Sequence, residues 1–347
     1  MKIKTVAYKG SKRKLLNDVL ELAQEINAQT AFDGFSGTGI VSAYLRSNGI
    51  EVQANDLNVS SYLYGSVFLR GYKQNIVDEQ LKIINNLHGL DGWITNNYSG
   101  SKERVIRGTN GKTQERPLGY QKKNASKIDA AREYVKNADL GENERNALIF
   151  AIILAADKVF NNSNDQKSCL KEWTAASKKD ILFIPPTNIE GPIGKQYNGN
   201  ILDIQIKSDF IYFDPPYTTG VLYEACYHLN DSIAKWDKPE LDYSYAIPRP
   251  RSKTFKNKGK VAGGFYSKKT ATDSFMSLFS NCNSKRIVLS YSDAPRNVLS
   301  CEQLVIIAKN FGNVEVRERN HRLCSQSSKM RKVSTSLKEY FIVIDTW

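Results

Sequence analysis

Two short segments of the chain hold residue types that can do chemistry, and the first is Asp214-Pro215-Pro216-Tyr217. It follows directly on Asp209-Phe210-Ile211-Tyr212-Phe213, which has the composition of a short buried strand. Neither proline can donate a ladder hydrogen bond and both fix φ, so the strand must end there in a rigid loop. In open α/β sheets the carboxyl ends of the strands are where ligands sit. The Asp214 carboxylate and the Pro215 carbonyl are acceptors, and Pro215 has no N–H to donate. A rigid, acceptor-rich loop of this kind suits a ligand that presents hydrogen-bond donors, and Tyr217 adds an aromatic face beside it.

The second segment is Asp33-Gly34-Phe35-Ser36-Gly37-Thr38-Gly39. Gly37 and Gly39 let the backbone turn tightly and come close to a ligand. The full G-x-G-x-x-G spacing of a dinucleotide loop is not met. Asp33 at the strand tip would repel a pyrophosphate and suits an ammonium group. Asp56, at the end of the next strand, is placed for ribose hydroxyls. A ribose, an ammonium and no pyrophosphate describe S-adenosylmethionine (SAM).

Both segments need elements to hold them. Residues 30–35 read as a strand, 36–39 as a tight turn, 40–49 as a helix closed by Gly49, and 50–58 as a second strand. Residues 11–26 carry Leu15, Leu16, Val19, Leu22, Ala23 and Ile26 on one helical face. Helical patterns follow at 78–87, 123–138 and 142–160, around a polar basic stretch at 97–123. Strands resume at 200–204, 209–214, 285–293, 312–319 and 338–347, with a helix at 267–280. The link before the last strand is too short for a crossover helix, so that strand is antiparallel. The expectation is a Rossmann-like α/β fold with a seven-stranded mixed sheet built from residues 1–74 and 196–347. Residues 75–195 form a mostly helical insertion.

The 347 residues carry a formal charge of +13, which points to a polyanion such as nucleic acid. Arg249, Arg251, Lys253, Lys256, Lys258 and Lys260 form one acid-free basic run suited to DNA phosphates. The segments 102–127 and 321–338 add further basic residues. The five cysteines are scattered, which fits a reducing compartment, and the three histidines show no zinc spacing. The first sixteen residues lack a signal peptide's apolar core, and 148–156 is too short to span a membrane. The expectation is a cytoplasmic protein without a metal.

The three motifs YKGSKRKLL (8–16), DGFSGTG (33–39) and YFDPPY (212–217), in this order, resemble the Dam-like DNA adenine-N6 methyltransferase family in its alpha arrangement. Weaker echoes lie at 124–135, 157–162, 227–230, 289–293 and 338–344. The resemblance implies site-specific methylation of adenine in double-stranded DNA, with base flipping and direct methyl transfer from SAM. It makes Asp214, Pro215, Pro216 and Tyr217 catalytic. It places Tyr8, Lys12, Asp33, Phe35, Ser36, Gly37, Thr38, Gly39, Asp56 and Asp214 around the cofactor. Lys12 also becomes a polar or phosphate contact near the cofactor and target, Asn200 or Asp203 an adenine-ring contact, and 75–195 the region of target recognition. It further implies a restriction–modification system with a cognate endonuclease. Cytosine-N4 methylation uses the same pocket logic and stays open, as does a non-catalytic nucleic-acid-binding module on this fold.

Overall fold

The computed structural model describes residues 3–8, 10–105, 111–162, 165–216, 223–251, 264–265, 267–292, 297–322 and 336–347. The chain divides into two compact units. One comprises Lys12–Gly65, Ile189–Leu222 and Ser252–Trp347, and the other Met1–Ser11, Ser66–Asn188 and Tyr223–Arg251.

The first of these holds a seven-stranded sheet of β1 (Thr30–Asp33), β2 (Glu51–Asp56), β3 (Lys195–Asn198), β4 (Phe210–Phe213), β5 (Arg286–Ser292), β6 (Gly312–Arg322) and β7 (Ser336–Thr346). In these labels the strand order is 3-2-1-4-5-7-6. Strands β1 to β5 pair in parallel, and β7 runs antiparallel to both β5 and β6. This is the Rossmann-like α/β methyltransferase arrangement expected from the sequence, with its antiparallel end. One strand is displaced. Residues 200–204 do not form the third strand: Ile201–Asp203 is a 3-10 turn capped by the Asn200 side chain, and the polar stretch Lys195–Asn198 pairs with β2 instead. The amphipathic N-terminal segment becomes a 3-10 turn, Lys12–Lys14, followed by α1 (Leu16–Gln24), which buries Val19, Leu20, Leu22 and Ala23.

Directly paired residues point to the same face of a sheet, and faces alternate along each strand. Phe32, Ile211, Phe213, Ile287, Leu289, Ile342 and Ile344 share one core with Phe275 and Leu278 of the helix Ala271–Ser280 and Leu304 and Ile307 of the helix Cys301–Ala308. The opposite parity runs through the pairs Asp33–Tyr212, Tyr212–Val288 and Val288–Val343. Counting by twos from these puts Asp214, Ser290 and Glu339 on the face that carries Asp33. One face of the sheet is thus committed to packing, and the other carries polar groups at its carboxyl edge.

The second unit is mostly helical, with Gln74–Asn86, Trp93–Tyr98, Lys122–Asn137, Glu142–Val159 and Tyr223–Lys235. A basic hairpin pairs Ser101–Val105 with Thr113–Pro117. The helix Glu142–Val159 is its centre, buried without a break from Ala147 to Ala156. Polar side chains pin the rest. Asp129 accepts hydrogen bonds from the backbone N–H groups of Ile94 and Thr95 and from the Thr95 hydroxyl, which satisfies the first turn of a helix. The Ala7 N–H donates to Asp157 Oδ2 at 2.8 Å. Asn161 donates to the carbonyls of Leu170 and Glu172, and Gln166 binds Leu229, Asn230 and His228. Among the described residues no helix is long and apolar enough to cross a membrane.

Arg132 is 3% exposed and its guanidinium donates to the carbonyls of Ile233 and Ala234 while lying over the Trp236 ring. Arg132→Ala should cost about 2–4 kcal/mol in urea unfolding, because it orphans buried carbonyls and empties the ring contact. Arg132→Lys should recover less than half of the loss, since an ammonium lacks the planar fork.

Candidate active site

Asp33 closes β1, with Ala54 beside it on β2 and Tyr212 beside it on β4. It is 1% exposed, and Ser42 Oγ donates to its Oδ2 at 2.6 Å from the helix Ile40–Ser47. Between them the chain turns through Gly37 at φ 51° and Gly39 at φ 72°, left-handed values that favour glycine. Asp56, on the face that carries Asp33, holds this turn. Its Oδ2 accepts from the Gly37 N–H at 2.8 Å and its Oδ1 from the Asn58 N–H at 2.8 Å. Ser36 is bonded through its N–H to the Asn55 carbonyl and through its hydroxyl oxygen to Gln196, while Thr38 is 3% exposed. Phe35 sits edge-on to Phe213 and to Phe265, at 6.0 and 5.5 Å between ring centroids.

The electrostatics at the strand tips are anionic. Burial pushes the Asp33 carboxyl up to about 7, against the Ser42 hydrogen bond and with help from the charges of Asp214 and Asp56. A carboxylate so reluctant to ionise is stabilised by an incoming cation. An ammonium-bearing ligand fits Asp33, and an anion does not.

Asp214 stands one residue beyond the last paired position of β4. Pro215 is buried and Pro216 half-buried after it. Lys12 Nζ lies 3.1 Å from Asp214 Oδ1 and 2.7 Å from Glu339 Oε1. Ser290 Oγ donates to the same Glu339 oxygen at 2.6 Å. Burial raises the Asp214 carboxyl to about 6, with Lys12 opposing and Glu339 adding to the rise. At neutral pH Asp214 is therefore ionised and able to accept. The Gly34 N–H donates to the Tyr212 carbonyl at 2.9 Å, which fastens the glycine turn to the strand that carries Asp214. One strand edge thus joins a cation-seeking carboxylate, a glycine turn and an acceptor on a proline-stiffened loop.

The sequence profile of the D12 class N6 adenine-specific DNA methyltransferases matches residues 8–292. The chain belongs to this family. Membership sets the reaction class as methyl transfer to the N6 amine of adenine in DNA. Among curated relatives, the modification methylase LlaI of Lactococcus lactis subsp. lactis is 26% identical, covering 96% of this chain and 54% of its own. The type II methyltransferase M.CviAII of Paramecium bursaria Chlorella virus 1 is 26% identical over 98% of each chain. The type II methyltransferase M.NlaIII of Neisseria lactamica is 28% identical over 91% of each. The chain therefore spans about half of the first relative and nearly all of the other two. The solved structure of TehB from Haemophilus influenzae aligns at TM-score 0.38 and 10% identity, over 95% of this chain and 62% of that one. The fold assignment rests on strand order and not on that alignment.

Within the methyltransferase, the other residues singled out in the sequence are placed as follows. Lys12 is 7% exposed, with its ammonium against Asp214 and Glu339 and not at a phosphate-accessible surface. Tyr8 belongs to the helical unit, where it stacks on Tyr227 at 4.3 Å between centroids. Asn200 caps its 3-10 turn and Asp203 is exposed. Tyr217 lies outside the described residues, as do Lys253, Lys256, Lys258 and Lys260. Arg249 and Arg251 are described. Arg249 stacks over the Tyr245 ring at 4.1 Å, and Arg251 pairs with Glu240. Three groups escaped the sequence reading: Ser42, Ser290 and Glu339. The echoes at 289–293 and 338–344 contain the last two, so a signal was present without a role attached.

The raised Asp33 carboxyl makes a signed prediction. An acid whose folded pKa exceeds its unfolded value gives stability that is complete below about 3.9 and lost as pH rises through about 7. Asp33→Asn should therefore stabilise the free protein at pH 8 by a few kcal/mol in urea unfolding. The gain should shrink steadily toward pH 4.

Proposed function

We propose that the methyltransferase modifies adenine within a specific duplex DNA sequence, taking the base out of the helix and passing it a methyl group from SAM directly. The observation that carries this reading is the Asp214 carboxylate, held by Lys12 on the strand edge that also presents Asp33. Extruding a base costs a few kcal/mol, which contacts in the pocket must offset. When bound, SAM supplies an electrophilic methyl group at its sulfonium. Asp33 takes the ammonium of its methionine end, and Gly37 and Gly39 let the backbone approach it. Asp56, which also holds the turn, takes ribose hydroxyls. Tyr8 is assigned to the cofactor by its motif alone.

Asp214 and the Pro215 carbonyl accept the N6 hydrogens, so electron density returns to the nitrogen as it attacks. The amine would take up the methyl group that bound SAM supplies, and Asp214 would accept the surplus proton of the methylated amine. No covalent enzyme intermediate is needed. This acceptor set also suits the N4 amine of cytosine, and the family match decides for adenine.

DNA phosphates are assigned to the basic surface. In the helical unit, Lys102 lies over the Tyr243 ring at 5.4 Å and Arg249 over Tyr245. Lys102, Tyr243 and Tyr245 line a groove of about 230 Å³ that also includes Glu103, Leu118 and Pro248, and Arg249 reaches its edge by stacking on Tyr245. Cations interleaved with exposed aromatics suit a polyanion that carries flat rings. The basic run Arg249–Lys260 extends the same chemistry in sequence. The reading extends to a restriction–modification system with a cognate endonuclease, working on DNA in the cytoplasm; relatives named as a modification methylase and as type II methyltransferases support the modification half.

Asp214→Asn should abolish methylation of duplex DNA while SAM binding stays within about twofold of wild type. Digestion of DNA modified by the wild-type enzyme should yield N6-methyladenine. Full activity in the variant, or N4-methylcytosine in the digest, would sink the assignment. Replacing both Lys102 and Arg249 by Ala should weaken DNA binding and reduce the slope of log affinity against log salt by roughly two. An unchanged slope would remove the groove from the DNA interface.

A further inference from the structure

Glu339 is 4% exposed at the carboxyl edge of the sheet. The register explains its place: Glu339 pairs with Ser292 across β5 and β7, and its diagonal neighbour on the same face is Ser290. Two carboxylates, Asp214 and Glu339, share one ammonium, Lys12. Lys12 is nearer to Glu339, at 2.7 Å, than to Asp214, at 3.1 Å. The Ser290 hydroxyl donates to the same Glu339 oxygen. With both carboxylates ionised, the formal charges of these three groups sum to one negative charge.

A lone Lys12–Asp214 pair would be neutral. Its carboxylate would spend its charge on the lysine and accept poorly from a substrate amine. We propose that Glu339 is a positioning residue that takes the larger share of the Lys12 charge, so that Lys12 fixes Asp214 without cancelling it. Ser290 fixes Glu339 in turn. Buried charges without partners are costly, which is why the third charge comes with both a hydroxyl and an ammonium. Among the described residues, the groups facing Asp214 are Lys12 from the N-terminal 3-10 turn, Glu339 from β7, Asp33 from β1 and Tyr212 from its own strand. Removing the Glu339 charge changes the field around Asp214 while leaving Asp214 itself in place. The inference rests on the reading that Asp214 accepts the amine hydrogens.

The test is the pH dependence of single-turnover methylation in the full-length protein. Glu339→Gln keeps the side chain's shape and an acceptor for Ser290, and deletes one charge. It should lower the rate at pH 8 by roughly tenfold or more, with SAM and DNA affinities within about twofold of wild type. Its acidic limb should move to lower pH, because Lys12 then neutralises Asp214 alone. Lys12→Met should move that limb to higher pH. Glu339→Asp keeps the charge and should leave the limb in place; it also answers the question if the glutamine variant does not fold. A wild-type rate and limb in Glu339→Gln would overturn the inference, as would a limb displaced downward in Glu339→Asp. Asp214→Asn separates the two readings. If it is active, the role of Asp214 fails; if it is dead while Glu339→Gln behaves as wild type, only the role of Glu339 fails.

Discussion

The account depends on one charge placed where solvent hardly reaches: the Lys12 ammonium between Asp214 and Glu339. An acceptor for a weakly nucleophilic amine must be ionised, immobile and not already spent. Burial raises the Asp214 carboxyl and Lys12 opposes that rise, but a single cation beside it would also draw on its charge. The sheet solves this by register. Because β7 returns antiparallel beside β5, a residue from the far end of the chain reaches the carboxyl edge of the parallel strands. There it can share the lysine. The antiparallel strand at the end of the sheet thus brings a charge into the site.

The glycine turn is organised on a similar principle. Asp56 holds the Gly37 and Asn58 N–H groups before any ligand arrives, so the turn is formed in advance. Burial keeps Asp33 costly to ionise against the hydrogen bonds from Ser42, in a site that rewards an incoming cation. Stability is given up there in exchange for selectivity toward a positively charged group. The packed face of the sheet, with its rows of Phe, Ile and Leu against two helices, supplies the stability.

The sequence made the central strands readable because their signals are local. Phe210–Phe213 is short, apolar and stopped by two prolines, and the turn at 36–39 sits between strand and helix patterns. The third strand was not readable, because Lys195–Asn198 is polar and four residues long, while the apolar residues at 200–204 serve a 3-10 turn. Glu339 was invisible for a different reason. Its partner Lys12 lies 327 residues away on the N-terminal 3-10 turn and Ser290 lies 49 away, so it takes the register of β5 and β7 and the docking of that turn to bring them together. The weaker echoes at 124–135, 157–162 and 227–230 turned out to hold buried polar pins of the helical unit, among them Asp129, Arg132, Asn161 and His228. Their pattern was legible, but their partners were not.

The most direct measurement is a structure of the protein bound to duplex DNA and a non-reactive SAM analogue. The account predicts an extruded adenine whose N6 lies within hydrogen-bond distance, about 3 Å, of both an Asp214 carboxylate oxygen and the Pro215 carbonyl, with Lys12 still bridging to Glu339. An adenine whose amine is bound elsewhere, with Asp214 closed onto Lys12 alone, would contradict it.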